Sequence, residues 1–146
     1  MVKINIDQSD KYDDIYVDIK CPVIDKRIES IVTQINNSYS AIIGCYEEKT
    51  YAVGLKNIYY IESIDDKSFI YENNRVLECS NKLYELEEQL KGSTFVRVSK
   101  SCILNIDKLD SVKSLINGKY EAYLLNEERI VISRHYVSEF KKKFGL

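Results

Sequence analysis

The spacing of apolar residues predicts two kinds of element in the first third of the chain. Residues 2–6 alternate weakly and residues 15–21 alternate clearly between apolar and polar side chains, which is typical of half-buried strands. Apolar residues at helical spacing over 23–38 predict an amphipathic helix, and the apolar run 41–46 predicts another strand. Strand, helix and strand in this order permit a βαβ crossover, so residues 1–47 are predicted to form a small αβ extension.

From residue 48 onward the pattern is mostly that of strands. Three apolar runs separated by tight turns predict an antiparallel meander over 58–64, 68–72 and 75–79. A helix capped by Ser80 and ended by Gly92 follows. Further strands are predicted over 95–98, 109–115, 120–125 and 129–132. Ser133 is predicted to cap a last helix that runs through Lys143. The predicted class is therefore α+β, mostly β, with a helix at the carboxyl end.

The stretch 95–105 carries the residues that most suggest a ligand. After the strand, Ser99, Lys100 and Ser101 place a hydroxyl, an ammonium and a second hydroxyl side by side, which suits an anion such as a DNA phosphate. An edge strand with a solvated polar end would show the same pattern. Asn105 closes the stretch and is typical of a turn.

A second candidate anion site lies at the start of the last predicted helix. Ser133, Arg134 and His135 stand where unpaired backbone N–H groups and the helix dipole favour negative charge. The guanidinium of Arg134 can donate a pair of hydrogen bonds to a phosphate or to a guanine edge. The alternative is an ordinary exposed arginine. The run 141–143 is weaker evidence, because lysines in a last turn also complement the dipole.

Charge is distributed unevenly along the chain. The formal net charge is −2, which by itself does not suggest a DNA-binding protein. Residues 1–94 contain 11 Lys and Arg against 17 Asp and Glu, whereas residues 95–146 contain 10 against 6. The last third is therefore predicted to carry a basic face on an otherwise acidic body.

Several classes of protein fit the sequence poorly. The chain has no apolar run of about 20 residues for a membrane span, and its amino terminus has no signal-peptide core, so a cytoplasmic location is expected. The only histidine is His135 and no two cysteines form a C-x-x-C motif, so no metal site is expected. There is no acid pair at a recognisable catalytic spacing, no phosphate-binding glycine loop and no nucleophile elbow, so neither enzyme activity nor a cofactor is predicted.

Four segments, in a consistent order and spacing, resemble the LytTR family of bacterial DNA-binding domains. They are 58–63, 95–105, 117–118 and 132–136. The resemblance covers about residues 48–146, which suggests a domain division into 1–47 and 48–146. It implies stacked β-sheets that bind double-stranded DNA through loops rather than a recognition helix, with the loops entering successive major grooves of bent DNA.

The resemblance also implies which residues contact DNA. The positions that match the DNA-contacting loops of the family are Lys67, Ser68, Ser99, Lys100, Ser101, Arg134 and His135. Arg97 and Lys119 are candidates for further contacts with the DNA backbone. Asn105 also fits the family motif, although a structural role for this turn-forming residue is at least as consistent with the pattern.

The predicted function is a sequence-specific DNA-binding transcriptional regulator. Residues 1–47 are too short for a receiver domain, so a stand-alone regulator is expected, with an unidentified regulatory partner. A homodimer is expected because regulators commonly pair half-sites, with the helix 23–38 or an edge strand as its interface. The alternative is a protein-interaction or ligand-sensing module without DNA binding, which the acidic first two-thirds and tyrosine-rich strands would suit. DNA affinity that falls with salt would separate the two.

Overall fold

The computed structural model describes the backbone of residues 1–146 and every side chain except those of 37–39. The helices are α1 (Lys26–Tyr39), α2 (Leu83–Gln89) and α3 (Val137–Phe144). The strands are β1 (Ala41–Tyr46), β2 (Lys49–Gly54), β3 (Tyr60–Ile64), β4 (Lys67–Tyr71), β5 (Val76–Cys79), β6 (Phe95–Ser99), β7 (Cys102–Asn105), β8 (Leu109–Ser114), β9 (Tyr120–Leu124) and β10 (Arg129–Ile132). The predicted α+β class, mostly β, is confirmed. Over the residues that the structure describes, no helix is long and apolar enough to cross a membrane.

The strands form two sheets in which every neighbouring pair is antiparallel. The larger sheet has the order β2-β1-β5-β4-β3-β7-β6, and the smaller has the order β10-β9-β8. Strands β3, β4 and β5 form the predicted meander. Strand β1 pairs with β2 and with β5, so it lies within the larger sheet rather than in a separate layer.

Two clusters of buried side chains cover opposite faces of the larger sheet. Ile103 belongs to the first cluster, in which α2 packs through Leu86 on the sheet. The next residue along β7, Leu104, belongs to the second cluster, where Ile132 of β10 and Phe140 of α3 cover the sheet. Full burial of each such side chain contributes roughly 1.5–3 kcal/mol to stability. The second cluster holds β10 and the start of α3 against β6, which decides where the candidate site residues meet.

The prediction for the amino-terminal third is right in the strand 41–46, which is β1, and wrong in the strands 2–6 and 15–21. Residues 1–25 form neither a helix nor a strand, and the alternating Ile15 and Val17 are 65% and 57% exposed. Alternation produces a strand only where a neighbouring strand pairs with its backbone and a surface covers its apolar face. Helix α1 begins at Lys26 because the side chain of Asp25 accepts hydrogen bonds from two backbone N–H groups of the first turn. The predicted βαβ crossover is therefore absent.

Two details of the carboxyl-terminal half also differ from the prediction. The polar triplet does not end a single strand: it forms the turn of a hairpin, because 102–105 is a separate buried strand. Ser133 does not cap a helix through its side chain. The chain first winds through a 3₁₀ turn over Arg134–Tyr136, closed by the bond from Tyr136 N to Ser133 O (2.9 Å), and α3 starts only at Val137.

Candidate nucleic-acid interface

The β6–β7 hairpin presents the polar triplet at its turn. An irregularity in the strand pairing between Arg97 and Ser99, where Ser99 pairs with Cys102, disrupts the ladder just before the turn. The hydroxyl of Ser99 accepts a hydrogen bond from the backbone N–H of Ser101 (3.2 Å). Lys100 and Ser101 are exposed and Ser99 is half-buried, so two of the three predicted side chains are open to a ligand.

Arg97 lies beside this turn, but its guanidinium faces the protein. Nε donates to the carbonyl of Ser99 (2.7 Å), one Nη donates to the carbonyl of Lys100 (2.5 Å), and the other donates to Glu87 Oε2 in α2 (3.0 Å). The Arg97 side chain is only 20% exposed. Three of its five N–H donors have acceptors within the protein, so the guanidinium is largely engaged in the hairpin and α2 rather than directed at solvent.

Backbone hydrogen bonds join two neighbouring segments to the hairpin. The N–H of Ser63, at the end of β3, donates to the carbonyl of Ser101 (2.8 Å). The N–H of Ser133 donates to the carbonyl of Val98 (2.9 Å), which holds the segment bearing Arg134 against β6. The three loops that the sequence singled out therefore meet at one end of the larger sheet.

The two residues predicted from the β3–β4 turn differ in their availability. Lys67 is exposed, and its ammonium lies 3.8 Å from Glu78 Oε1 on the neighbouring strand β5. Ser68 points into the protein and is 2% exposed. Its side chain is closed to DNA in this structure, because strand β4 already begins at Lys67 and alternation turns the next residue inward.

The turn before β9 adds a fourth segment. Asn117 and Gly118 both have φ of 75°, and the N–H of Leu115 donates to the carbonyl of Lys119 (2.8 Å). A Cβ atom on Gly118 would lie 3.2 Å from Arg134 Cδ, so the arginine stem passes close against this turn. Lys119, Arg134 and His135 are all exposed.

This arrangement agrees with the comparison to family models. The LytTr DNA-binding domain model matches residues 48–145. The chain belongs to the LytTR family. The match confirms the resemblance seen in the sequence, and it describes a domain defined by DNA binding rather than by a reaction.

Individual relatives of this LytTR chain are bacterial. Sensory transduction protein LytT of Enterococcus faecalis is 29% identical over 100 residues, which cover 68% of this chain and 41% of LytT. An uncharacterized HTH-type transcriptional regulator of Staphylococcus aureus is 24% identical over 148 residues, the full length of both proteins. A solved LytTr DNA-binding domain from Bacillus cereus shares the fold with a TM-score of 0.69 and 23% identity, covering 75% of this chain and all of that domain.

A further cation, which the sequence pattern did not single out, lies near the hairpin of this LytTR domain. Arg129, the first residue of β10, lines a cavity of about 270 Å³ together with Ser99 and Ser101. Its guanidinium also lies 5.2 Å from the ring centre of Tyr123. The only signal in the sequence was an arginine after a tight turn, and nothing in that pattern indicates that β10 lies beside the β6–β7 turn.

Cys102 also lines the cavity beside the hairpin. Burial raises the pKa of the Cys102 thiol to about 12, so this group stays protonated at neutral pH. No cluster of three or more His, Cys, Asp or Glu side chains is placed to hold a metal ion within the described part of the chain.

Asn105 has a structural role in the LytTR fold. It is fully buried, and its Nδ2 donates to the carbonyl of Ile58 (2.8 Å). Its Oδ1 accepts hydrogen bonds from Thr94 Oγ1 (2.7 Å) and from the N–H of Asp107 (3.1 Å). These bonds tie the end of β7 to the segment before β3, so the side chain is occupied within the core.

Proposed function

We propose that this LytTR protein is a sequence-specific transcriptional regulator that acts in the cytoplasm and contacts double-stranded DNA through loops. The observation that carries the proposal is the joining of the β6–β7 turn and the Arg134 segment through the Ser133–Val98 hydrogen bond. With the turn that bears Lys119 against the Arg134 stem, three exposed cations gather on a chain of net charge −2. Local positive charge supplies phosphate affinity whatever the net charge of the protein.

The side chains are assigned roles by their chemistry. Lys100 binds phosphate as a point charge, and the hydroxyls of Ser99 and Ser101 donate to neighbouring phosphate oxygens. Arg134 reads a base edge, because its planar guanidinium can donate two parallel hydrogen bonds to guanine. Lys67, Lys119 and His135 supply backbone contacts at the margin of the interface. Neither the buried Ser68 nor the internally bonded Arg97 is assigned a DNA contact.

Loops rather than a helix enter the grooves in this proposal. Helix α3 has eight residues, and it buries Phe140 in the second core cluster. The exposed Arg134 stands in the 3₁₀ turn before the helix. Several loops in a row favour DNA that bends toward the protein, and the sequence-dependent cost of bending adds to specificity.

A binding selection tests the proposed function. The protein is mixed with a pool of random duplexes at two salt concentrations, binding is followed by fluorescence anisotropy, and the bound fraction is sequenced. Enrichment of a short repeated motif, with affinity that falls as salt rises, is the expected result. Binding without enrichment would contradict sequence specificity, and no binding at either salt concentration would overturn the proposal.

We also infer that residues 1–47 support a homodimer, with α1 at its interface. Val32 on α1 and Ile24 just before it are 41% and 75% exposed, so these apolar side chains are available to pack against a second copy of the chain. Val32→Lys should convert the dimer to a monomer in light scattering, whereas Ser30→Lys, at an exposed polar position of the same helix, should not. A dimer that survives Val32→Lys and Ile24→Lys would contradict this interface.

A further inference from the structure

The geometry points to Arg97 as a positioning residue that holds the β6–β7 turn in its DNA-binding shape, with Glu87 of α2 as its anchor. This inference rests on the proposed function and adds to it a residue that never touches DNA. It replaces the backbone contact that the sequence suggested for Arg97.

The guanidinium of Arg97 is surrounded by hydrogen-bond acceptors of the protein. Three separate donors of Arg97 reach the carbonyls of Ser99 and Lys100 and the carboxylate of Glu87, at 2.7, 2.5 and 3.0 Å. Two of these acceptors are consecutive carbonyls of the turn that carries the proposed phosphate contacts. A single side chain therefore binds the two consecutive peptide groups that flank Lys100, Ser99–Lys100 and Lys100–Ser101.

The pairing of β6 with β7 is irregular close to their turn. The register shifts between Arg97 and Ser99, so the ladder is irregular at Val98 and only the Ser99–Cys102 pair lies between this irregularity and the turn. An arginine fork can bind acceptors in several directions at once, whereas a lysine ammonium on a flexible stem fixes their geometry less well. The guanidinium supplies hydrogen bonds to Ser99 and Lys100, directly after the position where the ladder is interrupted.

The positive charge of Arg97 is already paired within the protein. The carboxylate of Glu87 neutralises the cation of Arg97, and the Arg97 side chain is 20% exposed while that of Glu87 is 45% exposed. A paired and largely covered cation adds little long-range attraction to DNA. The effect of Arg97 on DNA affinity must then come through the shape of the turn. Removal of the Glu87 carboxylate should therefore weaken DNA binding, whereas it would strengthen binding if Arg97 contacted phosphate directly.

The decisive variant is Glu87→Gln, with Glu88→Gln as its matched control. Both remove one negative charge from adjacent positions of α2, but Glu88 pairs with Lys91 (2.6 Å) rather than with Arg97. If Arg97 is a positioning residue, Glu87→Gln weakens operator binding about threefold to tenfold, because the charge-assisted bond that anchors Arg97 becomes a weaker bond to a neutral amide. If Arg97 contacts phosphate directly, Glu87→Gln frees the cation and strengthens binding, and that result would overturn the inference. Glu88→Gln should leave affinity unchanged or raise it slightly.

A second variant and a DNA-free measurement keep the test independent of the proposed function. Arg97→Lys retains the charge but cannot reproduce the fork, so we expect operator affinity to fall about tenfold or more. In the free protein, hydrogen exchange of the Ser101 amide should accelerate in Arg97→Lys and Glu87→Gln, and stay unchanged in Glu88→Gln. Unchanged exchange in both variants would overturn the inference alone, whereas a wild-type protein without salt-sensitive, sequence-specific binding would overturn the proposed function.

Discussion

Two turns at the same end of the larger sheet carry an exposed lysine each, yet they differ in what surrounds it. The β3–β4 and β6–β7 hairpins are joined close to their turns by a hydrogen bond from Ser63 N to Ser101 O (2.8 Å). The ammonium of Lys67 at the first turn has the carboxylate of Glu78 3.8 Å away. For Lys100 at the second turn, no ion pair forms with any of the side chains that the structure describes. Equal residue types therefore differ in their availability to phosphate.

The two turns are also held by different means. Asp65 and Asp66 adopt left-handed φ of 51° and 64°, and Lys82 Nζ donates to the carbonyl of Asp66 (3.0 Å). The β6–β7 turn contains no carboxylate, and Arg97 holds it from the side. The carboxylate that pairs with Arg97 lies instead on α2, at Glu87, which leaves the proposed phosphate-binding turn without an acidic residue. We therefore expect DNA binding to depend mainly on the second turn and its neighbours, and the following substitutions test this expectation.

The largest effect should come from Arg134, which the Ser133–Val98 bond joins to the second turn. Arg134→Ala should weaken operator binding by about 1–3 kcal/mol and relax specificity at one base position, as for loss of one good base contact. Fluorescence anisotropy with the selected operator and with single-base variants of it measures both effects. Lys49→Ala, at an exposed position of strand β2 at the far edge of the sheet, should have little effect. Equal operator affinity before and after Arg134→Ala would remove this assignment.

Gly118→Ala should disturb Arg134 through the turn that its side chain contacts. The φ of 75° disfavours any side chain, and the added Cβ would lie 3.2 Å from Arg134 Cδ. We expect a loss of about 1–2 kcal/mol in the free energy of unfolding, measured with denaturant, together with weaker operator binding. Gly54→Ala is the matched control, because that residue has φ of −62° and its Cβ would be 3.7 Å from the nearest atom. An unfolding free energy that falls equally in both variants would contradict the argument.

Local patterns explain which elements could be predicted from sequence. The meander of β3 to β5 was predictable because each strand lies next to its partner in the chain and alternation continues across both turns. The same alternation over 15–21 misled, because nothing in that segment reveals whether a partner strand exists. The error lies in treating a condition for a strand as sufficient evidence for one.

The candidate site was predictable in its position but less so in its contacts. The polar triplet and Arg134 stood out by their chemistry, and the structure joins their segments through Ser133 and Val98. The inward direction of Ser68 depends on where β4 begins, which a shift of one residue reverses. The partner of Arg97 lies ten residues earlier on a helix, and no spacing in the sequence connects the two.

The salt dependence of binding should separate the two lysines directly. Lys100→Ala should reduce the slope of log affinity against log salt by about 0.9, the value for one lost phosphate contact. Lys67→Ala should reduce it by less, because Glu78 already neutralises much of that charge. Titrations at four or more salt concentrations give both slopes. Equal changes of slope in the two variants would show that Glu78 does not limit the binding of Lys67 to phosphate. The proposed difference between the two turns would then be wrong.

The smallest change in operator affinity should come from removing the carboxylate beside Lys67, which makes the first turn resemble the second. Glu78→Gln removes the carboxylate beside Lys67, so the lysine becomes free to bind phosphate and operator affinity should rise by about twofold. The gain is small because the pair is exposed, at 64% and 52% for the two side chains, and solvent already screens it. Glu29→Gln on α1 removes the same charge from an exposed site away from both turns, which corrects for the change in net charge. A rise that is specific to Glu78→Gln, and is lost when Lys67→Ala is added, would establish that the local carboxylate limits the contribution of the first turn. Equal effects of the two glutamine variants would attribute the gain to net charge alone.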